Sequence, residues 1–258
     1  SPEEGYRYAE RSRIEPLITE RTRAILVTNP GNPTGTVLTP EEMQLIADIA
    51  REHGLFLVAD EVYREFVYGG EPLSTFLTIP GIEENLIVVD SVSKRFSACG
   101  ARVGALISRN PEFIAQAMKL CQGRLCSATL DQLGASALYS VDPDYFNATR
   151  DEYRRRRNAC VEGLHKIPGV VCGEPKGAFY LMAKLPVDDA DRFQTWLLEE
   201  FEDQGETLMF APGEGFYGTP GKGKDEIRIA YVLNEADIRR SMELLGIAID
   251  RYRKEKMA

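Results

Sequence analysis

The stretch NLIVVDSVSK, Asn85–Lys94, decides how this chain is read. Four aliphatic residues, Leu86 to Val89, run without interruption into an aspartate, two serines and a lysine. A short unbroken Leu/Ile/Val run suits a strand buried on both faces, as in parallel sheets covered by helices. Its polar tail then stands at the carboxyl end of the strand, where α/β sheets receive their ligands.

Working outward, AILVTN (Ala24 to Asn29), LFLVAD (Leu55 to Asp60) and GALIS (Gly104 to Ser108) repeat the strand pattern. Between the first two lies a helix whose start is written locally. Thr39 can cap it, Pro40 suits its first turn, Glu42 completes a capping box and Gly54 ends it. Residues 1–141 therefore read as α/β, a mostly parallel sheet flanked by helices, with a helical stretch from Pro111 to Tyr139. Near Val141-Asp142-Pro143 the pattern changes. A charged helix from Asp144 to about Lys166 is followed by VVCGEPKGAFYLMAKL, a helix around Asp191 to Glu202, the strand IRIAYV (Ile227 to Val232) and a last helix capped by Asn234. Residues 142–258 read as a smaller α+β domain.

Composition narrows the partners. The chain has 258 residues, 43% of them hydrophobic, and a formal charge of -9. That balance argues against nucleic acid and anionic membrane and leaves a small-molecule ligand. The run Arg154 to Arg157 is read as a solvated helix face. Five cysteines without CxxC spacing suit reduced thiols in the cytoplasm, and no metal site is expected. No apolar run approaches the roughly 20 residues of a membrane span. GTPGKGK, Gly218 to Lys224, imitates a phosphate loop, but Asp225 replaces the required Ser or Thr and a strand follows, so it reads as a loop leading into IRIAYV.

Three strand ends carry the chemistry: NPGNPTG (Asn29 to Gly35), DEVY (Asp60 to Tyr63) and DSVSK (Asp90 to Lys94). Singly each is a turn or a cap. Together they offer an amine for a Schiff base in Lys94, a carboxylate in Asp60 to hold a proton on a heterocyclic nitrogen, and Ser91 with Arg102 to hold a phosphate. Those are the requirements of pyridoxal 5′-phosphate.

In NPGNPTG, DEVY, SVSK followed by Arg102, and IRIAYV, the chain resembles the class I and II aminotransferases, pyridoxal-phosphate enzymes of fold type I, and most of all their aspartate aminotransferase members. The resemblance implies roles for several residues. Lys94 would bind the cofactor and shuttle the substrate proton, and Asp60 would pair with the pyridine nitrogen. Tyr63 and Asn32 would reach the cofactor's phenolic oxygen, while Ser91 and Arg102 would hold its phosphate. Arg228 would clasp the substrate α-carboxylate, with Asn32 beside it, and Arg124 would reach a distal carboxylate across a dimer interface. It further implies a homodimer that moves an amino group from an L-amino acid, aspartate foremost, to a 2-oxo acid such as 2-oxoglutarate. A segment ahead of Ser1 is also implied, so the chain is expected to be part of a longer protein. Two alternatives stay open: a lyase or decarboxylase of the same fold, and a non-catalytic binding module derived from it.

Overall fold

The computed structural model describes residues 1–70 and 73–257. Its contacts divide the chain into two compact units. One comprises Arg7–Gly31 and Thr36–Arg150 and is called here the parallel unit. The other comprises Ser1–Tyr6, Asn32–Gly35 and the chain from Asp151 onward, and is called the antiparallel unit.

The parallel unit runs through α1 (Arg11–Ile14), β1 (Ala24–Thr28), α2 (Pro40–Glu52), β2 (Phe56–Asp60), β3 (Leu86–Ser91), α3 (Val92–Arg95), β4 (Gly104–Ile107), α4 (Pro111–Arg124) and α5 (Thr129–Leu138). Its sheet has the order β1-β2-β3-β4, parallel throughout except for β4, which runs antiparallel to β3. The capping box at Thr39 forms as the sequence predicts: the Thr39 hydroxyl accepts from the Glu42 N–H while the Glu42 carboxylate accepts from the Thr39 N–H. Met43, Ile46, Ala47 and Ala50 of α2 pack on Val27, Leu57, Ala59 and Val88 of the sheet. Leu57 is fully buried, and cutting it to alanine would cost about 2–5 kcal/mol. Burial on both faces holds for Leu86–Val88 in β3 and fails at the sheet's edges. Leu26 of β1 is 71% exposed and all four residues of β4 are exposed, because an edge strand has a neighbour on one side only.

The helical stretch from Pro111 breaks in two. Leu125, with φ at +67°, leaves the helical region and separates α4 from α5. Then α6 (Asp144–Leu164) leads into the antiparallel unit, which adds β5 (Val171–Cys172), β6 (Tyr180–Lys184), α7 (Ala190–Glu199), β7 (Ala211–Pro212), β8 (Glu226–Ala230) and α8 (Glu235–Lys256). Its sheet has the order β5-β6-β8-β7, antiparallel throughout. Asn234 caps α8 through its side-chain oxygen, and Leu164, Phe193, Leu181, Ile227 and Leu245 are fully buried in this unit. The basic run on α6 is spent on local pairs: Arg154 with Asp151, Arg155 and Arg156 with Glu152, and Arg157 with Glu174.

Candidate active site

Parallel register brings the strand ends of the parallel unit side by side. Thr28 pairs with Asp60 and Asp60 with Val89, so the carboxylates of Asp60 and Asp90 emerge at one edge. Asp60 is half-buried and its Oδ1 accepts the Val62 N–H at 3.2 Å. Burial raises its pKa above the ordinary carboxylate range; the Val62 N–H opposes that shift and the nearby Asp90 charge adds to it. Among the described residues no cation pairs with Asp60. A desolvated carboxylate without a counter-charge fits a ligand that brings a protonated nitrogen.

Beyond β3 the chain turns at once into α3, which carries Lys94. Ser91 is the cap: its hydroxyl accepts the Ser93 N–H at 3.0 Å and lies 2.7 Å from the Ser93 hydroxyl and 3.1 Å from the Val103 carbonyl. Two residues apart, Ser91 and Ser93 would share a face by strand alternation. The strand ends at Ser91, and its cap on the next turn keeps the two hydroxyls together. Ser93 is thus a polar group absent from the expected set, although alternation and the capping pattern at Ser91 are both signals that find it.

Lys94 is half-buried, and its helix is held firmly on both sides. Val92 and Phe96 are buried against Ala135 of α5, and the Phe96 ring meets Tyr139 and Phe146. On the polar side, Asp90 accepts the Ser91 N–H at 2.7 Å and the Arg95 guanidinium at 2.5 Å, both side chains being nearly buried. Tyr63 is buried at the turn after β2. Neighbouring Glu61 is buried too and is spent on structure, accepting from the Phe76 N–H and the Thr75 hydroxyl; burial pushes its pKa up.

Ser91, Ser93, Arg102 and Arg124 line one cavity of about 860 Å³. Arg102 sits in the left-handed region at φ +54°, exposed, with Nη1 donating to the Cys99 carbonyl at 2.9 Å. Two serines and two guanidinium groups on one wall suit an anion.

In the antiparallel unit, the loop residues Asn32–Gly35 bring Asn32 to Arg228 of β8. Arg228 Nη1 donates to Asn32 Oδ1 at 3.0 Å. The guanidinium carbon lies 4.7 Å from the Tyr180 ring centroid and 5.0 Å from that of Phe216. Its Nε is buried without an acceptor, and among the described residues no carboxylate pairs with this arginine. A cation steadied by two aromatic faces and one amide oxygen, with no counter-ion among the described residues, suits a carboxylate.

A mostly parallel sheet with its polar groups at the strand ends, followed by a smaller antiparallel α+β unit, is the architecture of the fold type I pyridoxal-phosphate enzymes. Residues 9–244 match the family described as aminotransferase class I and II, and the chain belongs to that family. Its members use pyridoxal 5′-phosphate. Aspartate aminotransferase of Musicola paradisiaca is 33% identical over 250 residues, 94% of this chain and 59% of the relative. That of Bacillus subtilis is 30% identical, covering 98% of this chain and 62% of its own length. Among solved structures, the aromatic aminotransferase of Pyrococcus horikoshii superposes with a TM-score of 0.83 at 28% identity, over all of this chain and 66% of that one. The chain thus spans about three fifths of the length of the curated relatives it matches.

Proposed function

We propose that the protein is a pyridoxal-phosphate-dependent aminotransferase, transferring the amino group of an L-amino acid, aspartate foremost, to a 2-oxo acid such as 2-oxoglutarate. The observation that carries this reading is Arg228, which among the described residues has Asn32 beside it and no carboxylate partner, in a family described as aminotransferases, whose amino-acid substrates carry an α-carboxylate. The uncompensated Asp60 carboxylate and the hydroxyls and arginines around the 860 Å³ cavity support the cofactor.

When bound, the cofactor supplies an electron sink that stabilises negative charge on the carbon losing a proton. The chain's own residues do the rest. Lys94 Nζ would hold the cofactor covalently and, once released, would move the proton taken from the substrate α-carbon. Asp60 would pair with the protonated ring nitrogen, its negative charge favouring the proton there. Tyr63 Oη and the Asn32 amide donate to the phenolic oxygen. Ser91 and Arg102 hold the phosphate, with Ser93 as a further donor beside Ser91. Arg228 would bind the substrate α-carboxylate, holding it alike before and during the reaction. Arg124 is assigned to the distal carboxylate of a dicarboxylic substrate, contributed across a homodimer.

The division into a cofactor-binding portion, residues 1–141, and a smaller domain, 142–258, is part of this proposal, as is a cytoplasmic setting. Among the described residues no helix is long and apolar enough to cross a membrane. The test is the visible spectrum of the cofactor-loaded protein with aspartate. The band of the lysine-bound cofactor should give way to that of its amino form, with an oxo acid released, and Lys94→Ala should lower turnover by at least about 10⁴-fold. Release of ammonia or carbon dioxide in place of an oxo acid would favour the lyase or decarboxylase instead. Preference for phenylalanine over aspartate would align the substrate with the aromatic aminotransferase of Pyrococcus horikoshii.

A further inference from the structure

Phe216 is 41% exposed, so core burial does not account for its position. What its ring meets is the Arg228 guanidinium. The other ring beside that cation, Tyr180, arrives by strand register: Arg228 pairs with Met182, and Tyr180 lies two residues earlier on the same face of β6. Phe216 has no register to place it. It ends a short 3-10 turn, Glu214–Phe216, in the glycine-rich loop that precedes β8.

That loop is fastened to β8 at two points, and Glu226, two residues before Arg228, provides both. The Gly213 N–H donates to the Glu226 carbonyl at 2.7 Å. The Tyr217 hydroxyl donates to Glu226 Oε2 at 2.7 Å, and the Tyr6 hydroxyl donates to the same oxygen at 2.9 Å. The Glu226 side chain is buried, and both phenols are pushed above their ordinary pKa, burial being the largest cause for each. Gly223, at φ +75°, lets the loop close over the Tyr217 ring, which a Cβ there would meet at 2.5 Å. The sequence GTPGKGK, which imitates a phosphate loop, is in this structure the return limb of that fastening.

We propose that this loop is a clamp on the substrate-binding arginine. Phe216 is a positioning residue that, with Tyr180, fixes the plane of the Arg228 guanidinium before a carboxylate arrives, and Glu226 fixes Phe216 through Tyr217. The inference rests on reading Arg228 as the receptor of the substrate α-carboxylate. An arginine already held flat between defined contacts loses little freedom when it binds a carboxylate, whereas a loose one must be ordered by the ligand. Because the α-carboxylate is bound alike before and during the reaction, loosening the clamp weakens binding and leaves turnover intact.

The test uses the cofactor-loaded protein and two readouts: steady-state kinetics with aspartate, and calorimetric binding of succinate as an unreactive carboxylate. Phe216→Leu should raise KM and the succinate Kd by about five- to tenfold with kcat unchanged, the size expected for one cation–π face. Phe216→Tyr should restore both. Tyr217→Phe, which keeps the ring and removes the fastening, should raise both by about threefold. Equal losses in kcat, cofactor loading and thermal stability for Phe216→Leu would overturn the clamp and make the residue merely structural. So would unchanged KM and succinate Kd. Arg228→Ala separates the two ideas: if it weakens succinate binding and Phe216→Leu does not, the clamp alone fails, whereas if neither does, the assignment of Arg228 fails.

Discussion

Two arginines of this chain, Arg95 and Arg228, sit in similar sequence settings just past or within a strand, and the structure treats them in opposite ways. Arg95 is buried against Asp90, a closed pair with its charge neutralised inside the fold. Arg228 is given aromatic faces and an amide oxygen and, among the described residues, no carboxylate. A neutralised cation holds the protein together, and here it ties the end of β3 to the helix bearing Lys94. An unneutralised one keeps its charge for a ligand. The aspartates divide in the same sense: Asp90 is consumed by Arg95, while Asp60, adjoining it at the sheet edge, is desolvated and unpaired among the described residues.

The strongest way to break that contrast is Asp90→Asn. It strands Arg95 in a buried site, so denaturant unfolding should show a loss of about 3–5 kcal/mol, and adding Arg95→Leu should recover much of it. Arg228→Ala should do the reverse. Stability should change by less than about 1 kcal/mol, while kcat/KM for aspartate falls about 10²-fold, or about 2.8 kcal/mol of binding. A large loss of stability in this variant would mean that Arg228 is structural like Arg95. Arg124→Ala sharpens the contrast within the cavity: KM for aspartate should rise about tenfold while that for alanine or phenylalanine stays unchanged. Equal losses for both would remove Arg124 from distal recognition.

The smallest expected effect concerns Asp60. Its pKa is raised in the folded protein, so the native state binds more protons than the unfolded chain between the two pKa values, and stability falls as pH rises through that window. Asp60→Asn should therefore stabilise the cofactor-free protein at neutral pH, by less than about 1 kcal/mol because the group is only half-buried, and remove the fall in stability that sets in as pH rises above the ordinary aspartate pKa of about 4. The same variant should hold cofactor less well. If it destabilises the cofactor-free protein instead, Asp60 is a structural carboxylate.

Much of this was legible in the residues. The capping box at Thr39, the strands around Leu57 and Val88 and the Asn234 cap are local signals, read within a few positions of themselves. The three strand ends were legible because parallel register is a general rule, and it does align Asp60 with the end of β3. Ser93 was missed although it lies two residues after Ser91, a spacing that keeps both on one face; what periodicity does not resolve there is the change from strand to helix within one residue. The Asp90–Arg95 pair spans that same turn and was invisible for the same reason. Phe216 lies in a loop whose path depends on a buried glutamate and two tyrosines, one of them 220 residues away from that glutamate in the chain.

That last contact bears on how the chain is made. The hydrogen bond from Tyr6 to Glu226 joins residues synthesised far apart in time, and Asn32 likewise waits for Arg228. The last residue of the parallel unit is Arg150, whereas the antiparallel unit recruits two early segments, Ser1–Tyr6 and Asn32–Gly35, after its own last strand has emerged. Vectorial synthesis would therefore let the sheet edge leading to Lys94 form first, with Arg228 and its contacts finished last.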